Sequence, residues 1–143
     1  MSPRIRANKI DLKVNTCKEP IVAIVDRIEI QQILVNLIVN AIESVTEKDL
    51  PPKRITVISE IEEPGVFVYR VIDTGYGVSE EMIDKLFQAF ESDKESGIGM
   101  GLSISRILAS NNGGSLELAS SSESGAEFVC RLPIAIAETS ALI

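Results

Sequence analysis

The chain contains no histidine. Without one, the histidine-bearing catalytic loop of the protein kinases cannot be built. Cysteine is scarce: Cys17 and Cys130 are the two among 143 residues, too few for a disulfide framework and in keeping with a reducing compartment. Positive charge is also short, with 14 Lys and Arg against 21 Asp and Glu and a net charge of −7. A general nucleic-acid binder needs a basic face to meet phosphates, so that class is excluded. A nucleotide is not, because a few local donors can hold one. Long apolar runs are missing as well. The longest are cut by Asn36, Asn40 or charges, so no segment is expected to span a membrane. Neither a signal peptide nor internal repeats are recognisable.

What remains is the composition of a soluble globular domain, 45% apolar and 24% charged, long enough to bury a core of its own. The expected division is a tail or linker end over 1–8, one domain over 9–133 and a C-terminal tail over 134–143. Ile10-Asp11-Leu12-Lys13-Val14 alternates like a half-buried strand, and 21–25 is a short apolar run of the same kind. Asp26 is a good helix N-cap. From Ile30 the residues Ile33, Leu34, Leu37, Ile38, Ala41, Ile42 and Val45 keep a helical period until Asp49, Pro51 and Pro52. Residues 55–58 and 66–72 read as strands joined by a turn at Glu63-Pro64-Gly65. Ser79-Glu80-Glu81 looks like the capped start of a short helix. Residues 91–96 are polar and predict a mobile loop. Residues 102–109 predict a helix stopped by Asn112-Gly113-Gly114, and 115–119 with 127–132 a final strand pair. This order predicts an α+β fold, a two-layer sandwich of one mixed, mostly antiparallel sheet with its helices on one face.

Three segments carry the chemistry. Asn36 and Asn40 lie four apart on the long helix and align two amides along one line. Asn is a poor helix former, so the pair is either a solvated edge or a source of hard neutral oxygen ligands for magnesium. Asp73-Thr74-Gly75-Tyr76-Gly77 follows a strand. Its carboxylate can accept from an exocyclic amine, and its glycines let backbone approach a flat base, although a plain strand-ending turn looks the same. Gly97, Gly99 and Gly101 alternate before a helix whose first N–H groups and positive dipole end suit phosphate. Leu102 stands where a dinucleotide fingerprint needs glycine, and no Gly-Lys-Ser/Thr follows, so neither a Rossmann site nor a P-loop is present.

In this order the segments resemble the N, G1 and G2 boxes of the ATP-binding domain of sensor histidine kinases. These belong to the Bergerat-type superfamily shared with type II topoisomerases, heat-shock chaperones and mismatch-repair ATPases. The resemblance runs from about Lys9 to Pro133. Gln31-Gln32-Ile33-Leu34-Val35-Asn36-Leu37 is similar to the N box, Leu86-Phe87-Gln88-Ala89-Phe90 to the F box, and Ser124-Gly125-Ala126-Glu127-Phe128 to the G3 element. It implies ATP and magnesium as ligands, with Asn36 and Asn40 at the metal and phosphates and Asp73 on the adenine amine. Gly75 and Gly77 would shape the adenine pocket. Gly97, Gly99, Gly101 and Leu102 would line the triphosphate, and Lys94 would reach the terminal phosphate from a lid.

The chain departs from the pattern at Glu91-Ser92-Asp93, where relatives have Phe-Thr-Thr, at Ala126, where many have Thr, and at Asn112, where His is frequent. The superfamily's ATPases and anti-sigma kinases carry a general-base Glu where Asn36 stands, and an amide cannot accept a proton at neutral pH. The resemblance therefore implies a protein-histidine kinase catalytic domain, with Asn36 and Lys94 as its catalytic residues. The phosphoacceptor histidine would lie in a dimerisation domain of the same kinase, and a response regulator would act downstream. The implied setting is cytoplasmic, an isolated monomer within a homodimeric parent that is either soluble or membrane-anchored. An anti-sigma-factor serine kinase, or a nucleotide-binding regulatory module without transfer activity, is the alternative.

Overall fold

The structure is a computed structural model that describes residues 9–15, 21–22, 26–63, 65–88, 99–133 and 135–136. The expected tail 1–8, the expected tail 134–143 apart from 135–136, Cys17, residues 23–25 of the expected strand, Pro64 of the expected turn, the 91–96 lid with Lys94, the end of the F-box match and Gly97 lie outside the described residues.

Asp26 caps the long helix as its sequence position suggests. It sits in extended backbone and its side chain accepts from the Glu29 N–H at 3.0 Å, filling one of the helix's unpaired donors. Helix α1 (Arg27–Lys48) ends where Asp49 turns left-handed, φ 51°, and its N–H bonds back to Val45 O at 3.0 Å. Ile33, Leu37, Ala41 and Val45 are fully buried along one stripe. By length and composition α1 could cross a membrane. That stripe instead packs with Ile55, Val57, Val71 and Phe128 in the core, so α1 is a core helix.

Strands β1 (Asp11–Asn15), β3 (Arg54–Glu63), β4 (Val66–Asp73), β5 (Ser115–Ser122) and β6 (Gly125–Pro133) form one sheet in the order β1-β3-β4-β6-β5. β1 runs parallel to β3 and all other pairs are antiparallel, which is the mixed sheet expected. One strand falls outside it. β2 (Ile21–Val22) pairs with β7 (Ala135–Ile136) in a separate two-stranded ladder. Regular pairing thus continues to Ile136, past the domain end expected at Pro133.

Alternation along β4 and β6 sends Tyr69, Val71, Phe128 and Cys130 towards the helices and leaves Val68 and Val129 on the opposite face. Both valines are nevertheless 0% exposed. They lie in register with Arg131 and Arg70. These arginines join Glu60, Glu62 and Glu127 at 2.8–3.0 Å, and their stems roof the apolar pair.

Two further helices are present among the described residues, and the longer one packs on α1. Helix α2 (Glu80–Ile83) is a single turn. Ser79 precedes it in extended backbone but makes no side-chain cap. Its carbonyl accepts from Met82 and Ile83, and the missing side-chain bond corrects the capped start expected there. Helix α3 (Gly99–Asn111) takes in Gly99 and Gly101, which the sequence placed ahead of it. Its end is the one the sequence marks: Gly113 N bonds to Ser110 O and Gly114 N to Ala109 O, a Schellman arrangement.

Asn112 at that end locks α3 to the start of α1. Its Oδ1 accepts from Asp26 N–H at 2.7 Å, and its Nδ2 donates to Glu29 Oε1 at 2.9 Å. Its Nδ2 also donates to Leu108 O at 2.8 Å, so Asn112→Ala removes three bonds and is expected to cost about 1–2 kcal/mol. The urea midpoint should fall with an unchanged slope.

Candidate functional site

On the flank of α1 beside its core stripe, polar residues recur every fourth position: Gln32, Asn36, Asn40, Ser44 and Lys48. That spacing keeps them on one line, and the line runs from α3 to the exit of β4. At one end Gln32 Nε2 donates to Asn36 Oδ1 at 2.8 Å, and Asn36 Nδ2 donates to Ser105 Oγ at 2.9 Å and Gly101 O at 3.3 Å. At the other end Lys48 Nζ donates to Glu123 O at 3.0 Å and Gly75 O at 3.3 Å, and lies 5.6 Å above the Tyr76 ring.

Asp73 closes β4, paired in register with Ile55 on one side and Ala126 on the other, and is 3% exposed. Its Oδ1 accepts from Gly75 N–H at 2.8 Å and from Ser44 Oγ at 3.4 Å. Burial pushes its pKa above the ordinary 3.8, against the opposing pull of the Gly75, Ser44 and Ala126 bonds and the Lys48 charge.

The carboxylate lies on the wall of a cavity of about 890 Å³, with Asn40 and Ser44 beside it and Tyr76, Val78, Met82, Leu102 and Phe128 supplying apolar surface. Its volume suits a small ligand, and its wall is mixed, with Ser79, Ser121, Ser122 and the carboxylates of Glu47, Glu80 and Glu123 alongside the apolar surface. Gly77 and Gly125 hold its rim in backbone that only glycine takes readily, φ 78° and 139°. A Cβ at Gly77 would lie 2.1 Å from Ser122 O, and one at Gly125 would lie 1.8 Å from Asp73 O. Ser121 pins the loop by accepting from Val78 N–H at 2.7 Å.

Of the residues singled out in the sequence, Asn40, Asp73, Gly77 and Leu102 meet on this one cavity. Gly75 supports Asp73 from behind the wall. Gly99 and Gly101 sit in the first turn of α3. Space does not demand glycine at 101, since a Cβ there meets Asn36 at an ordinary 3.6 Å. Asn36 is not on the wall, and its amide bridges α1 to α3. The sequence reading missed Ser44, Lys48 and Ser121. For the first two a signal existed, because the row begun by Asn36 and Asn40 continues to both.

The family model for histidine kinase-, DNA gyrase B- and HSP90-like ATPases matches residues 25–136. The chain belongs to that family. Among sensor kinases, the sensor protein FixL of Bradyrhizobium diazoefficiens is 33% identical over 130 residues, covering 91% of this chain and 25% of FixL. The catalytic domain of histidine kinase ThkA shares the fold with a TM-score of 0.77 at 31% identity, covering 91% of this chain and 82% of that one. Full-length ShkA, solved in complex with AMPPNP, matches with a TM-score of 0.80 at 27% identity, over 96% of this chain and 28% of its own. The fold is therefore that of an ATP-binding histidine kinase catalytic domain, and the chain spans about a quarter of the length of the FixL sensor. Within this family member, Asp73 is the buried polar residue on the cavity wall, with Asn40 and Ser44 half-buried beside it.

The raised pKa of Asp73 has a readable sign. The folded domain binds this proton more tightly than the unfolded chain, so Asp73 adds stability only when protonated. That contribution is present below about pH 4 and is lost as pH rises through the raised value. Asp73→Asn lacks it. The wild type should therefore lose stability relative to Asp73→Asn as pH rises above about 4 and through the raised value, read as diverging urea midpoints.

Proposed function

We propose that this chain binds ATP with magnesium as the catalytic domain of a sensor histidine kinase, and hands the γ-phosphoryl group to a histidine in a separate dimerisation and phosphoacceptor domain of the same kinase. The observation that carries this reading is Asp73, a buried carboxylate on the wall of a cavity large enough for a nucleoside. When ionised it only accepts hydrogen bonds, which suits the exocyclic amine of adenine. Tyr76, Val78 and Phe128 offer the base apolar surface. Gly99, Gly101 and Leu102 bring the first turn of α3 and its free N–H groups towards the phosphates. By the family resemblance, Gly97 and Lys94 would share in holding the triphosphate. AMPPNP, an ATP analogue, in the ShkA complex is in line with this choice of ligand.

The amide oxygens present fit a hard divalent cation. Asn40 on the cavity wall and Asn36 behind it would hold magnesium, Asn36 giving up its Gln32 partner to do so, and magnesium there offsets phosphate charge. Asn36 also fits a domain that does not activate water. Its Nδ2 donates to the Gly101 carbonyl, a contact that a general-base carboxylate at this position could not make. With no base and no histidine, the chain positions ATP and leaves the attack to an imidazole elsewhere. A response regulator then receives the phosphoryl group. The parent protein would be a homodimer, soluble or membrane-anchored, with this domain in the cytoplasm.

Alone, the chain should neither label itself from γ-labelled ATP nor turn ATP over appreciably. Mixed with its phosphoacceptor domain it should give an acid-labile, alkali-stable phosphohistidine. An acid-stable phosphoserine on a partner would replace this reading with an anti-sigma-factor kinase. Calorimetry supplies the binding arm. Asp73→Ala should weaken ATP by about 1–3 kcal/mol, the cost of leaving a buried amine unpartnered, and unchanged affinity would sink the adenine assignment.

A further inference from the structure

We infer that Ser44 is a specificity-determining residue that forms, with Asp73, an acceptor–donor pair reading the amine and the adjoining ring nitrogen N1 of adenine. The inference rests on the ATP-binding reading above and goes beyond it by naming the group that recognises N1.

Ser44 lies one turn beyond Asn40 on the polar row of α1 and lines the same cavity as Asp73. Its hydroxyl donates to Asp73 Oδ1 across 3.4 Å, well beyond the usual length of an O–H···O bond. Asp73 Oδ1 already has a short donor in Gly75 N–H at 2.8 Å, so turning the hydroxyl away leaves the carboxylate partnered. A hydroxyl is free to make that turn, since it carries one donor and two acceptor sites on a rotor.

The chain is shaped to bring this oxygen in. A Cβ on Gly75 would stand 1.9 Å from Ser44 Oγ, so any larger residue at 75 would displace it. A carboxylate and a hydroxyl this close address neighbouring atoms of one base edge. Adenine offers an amine donor next to an N1 acceptor, and the pair offers an acceptor next to a donor. Guanine and hypoxanthine invert both positions, presenting O6 and N1–H, so the carboxylate opposes them. The nearest cation does not compete for N1: Lys48 is engaged by Gly75 O and Glu123 O and is not on the cavity wall.

Isothermal calorimetry with magnesium and either ATP or 1-deaza-ATP, in which C–H replaces N1, tests the assignment on the chain itself. The wild type should bind ATP about tenfold more tightly than 1-deaza-ATP, the size of one net hydrogen bond. Ser44→Ala should bind both equally, at the level the wild type shows for 1-deaza-ATP. If Ser44→Ala keeps the wild-type preference, another group reads N1 and the assignment is overturned. Equal binding of both nucleotides by the wild type overturns it too, while leaving ATP binding intact. Absence of ATP binding by the wild type removes the parent reading and this one with it.

Discussion

A carboxylate that is 3% exposed persists at the end of a core strand only if donors surround it, because an unpartnered buried charge costs more than a domain can sustain. Much of the local architecture follows from satisfying Asp73. The β4 exit must turn at once so that Gly75 N–H points back to the carboxylate. That turn brings Gly75 against Ser44, and the β5–β6 turn at Gly125 against the Asp73 carbonyl. Neither approach leaves room for a Cβ. Gly75 thus follows from the buried carboxylate, whereas Gly125 follows from the close backbone approach of β6 to the end of β4.

Helix α1 is the second organising element because it serves two surfaces at once. Its buried stripe through Ile33, Leu37, Ala41 and Val45 anchors it to the sheet. Its polar row runs from Gln32 to Lys48 and touches, in order, α3, the cavity and the loop after β4. A helix pinned along one side presents the other with little freedom, which is what a site needs if its groups are to be preorganised. Asn112 clamps the start of this helix and Lys48 its end. Both ends of the row are thereby tied to elements on either side of the cavity.

Much of this was legible from single residues. Asp26 as a cap, the four-turn period of α1, the glycine pair ending α3 and the turn between β3 and β4 are local signals, and each lies where the sequence placed it. The exceptions also have local causes. Gly99 and Gly101 joined α3 because its packing against α1, through Ser105 and Asn36, outweighs the weak helix propensity of glycine. Ser79 takes the extended backbone of an N-cap but its hydroxyl makes no cap bond, a side-chain choice that residue type alone does not fix. The pairing of β2 with β7 joins segments more than a hundred residues apart, and nothing within two-residue strands announces a partner at that range.

The sequence by itself determined the elements of the main sheet and its helices, their order and the identity of the family. These rest on periodicity, capping and motifs that act over a few residues. Only the tertiary structure decided which polar groups share a wall. Asn36 and Asn40 look equivalent along the chain, yet packing against α3 takes Asn36 for a helix-to-helix strut while Asn40 faces the cavity. Ser44, silent in the sequence, comes within 3.4 Å of Asp73 because β4 ends beneath it. Helical spacing fixes a row of side chains. What each member of the row meets depends on the elements packed against it, and that is a property of the whole fold.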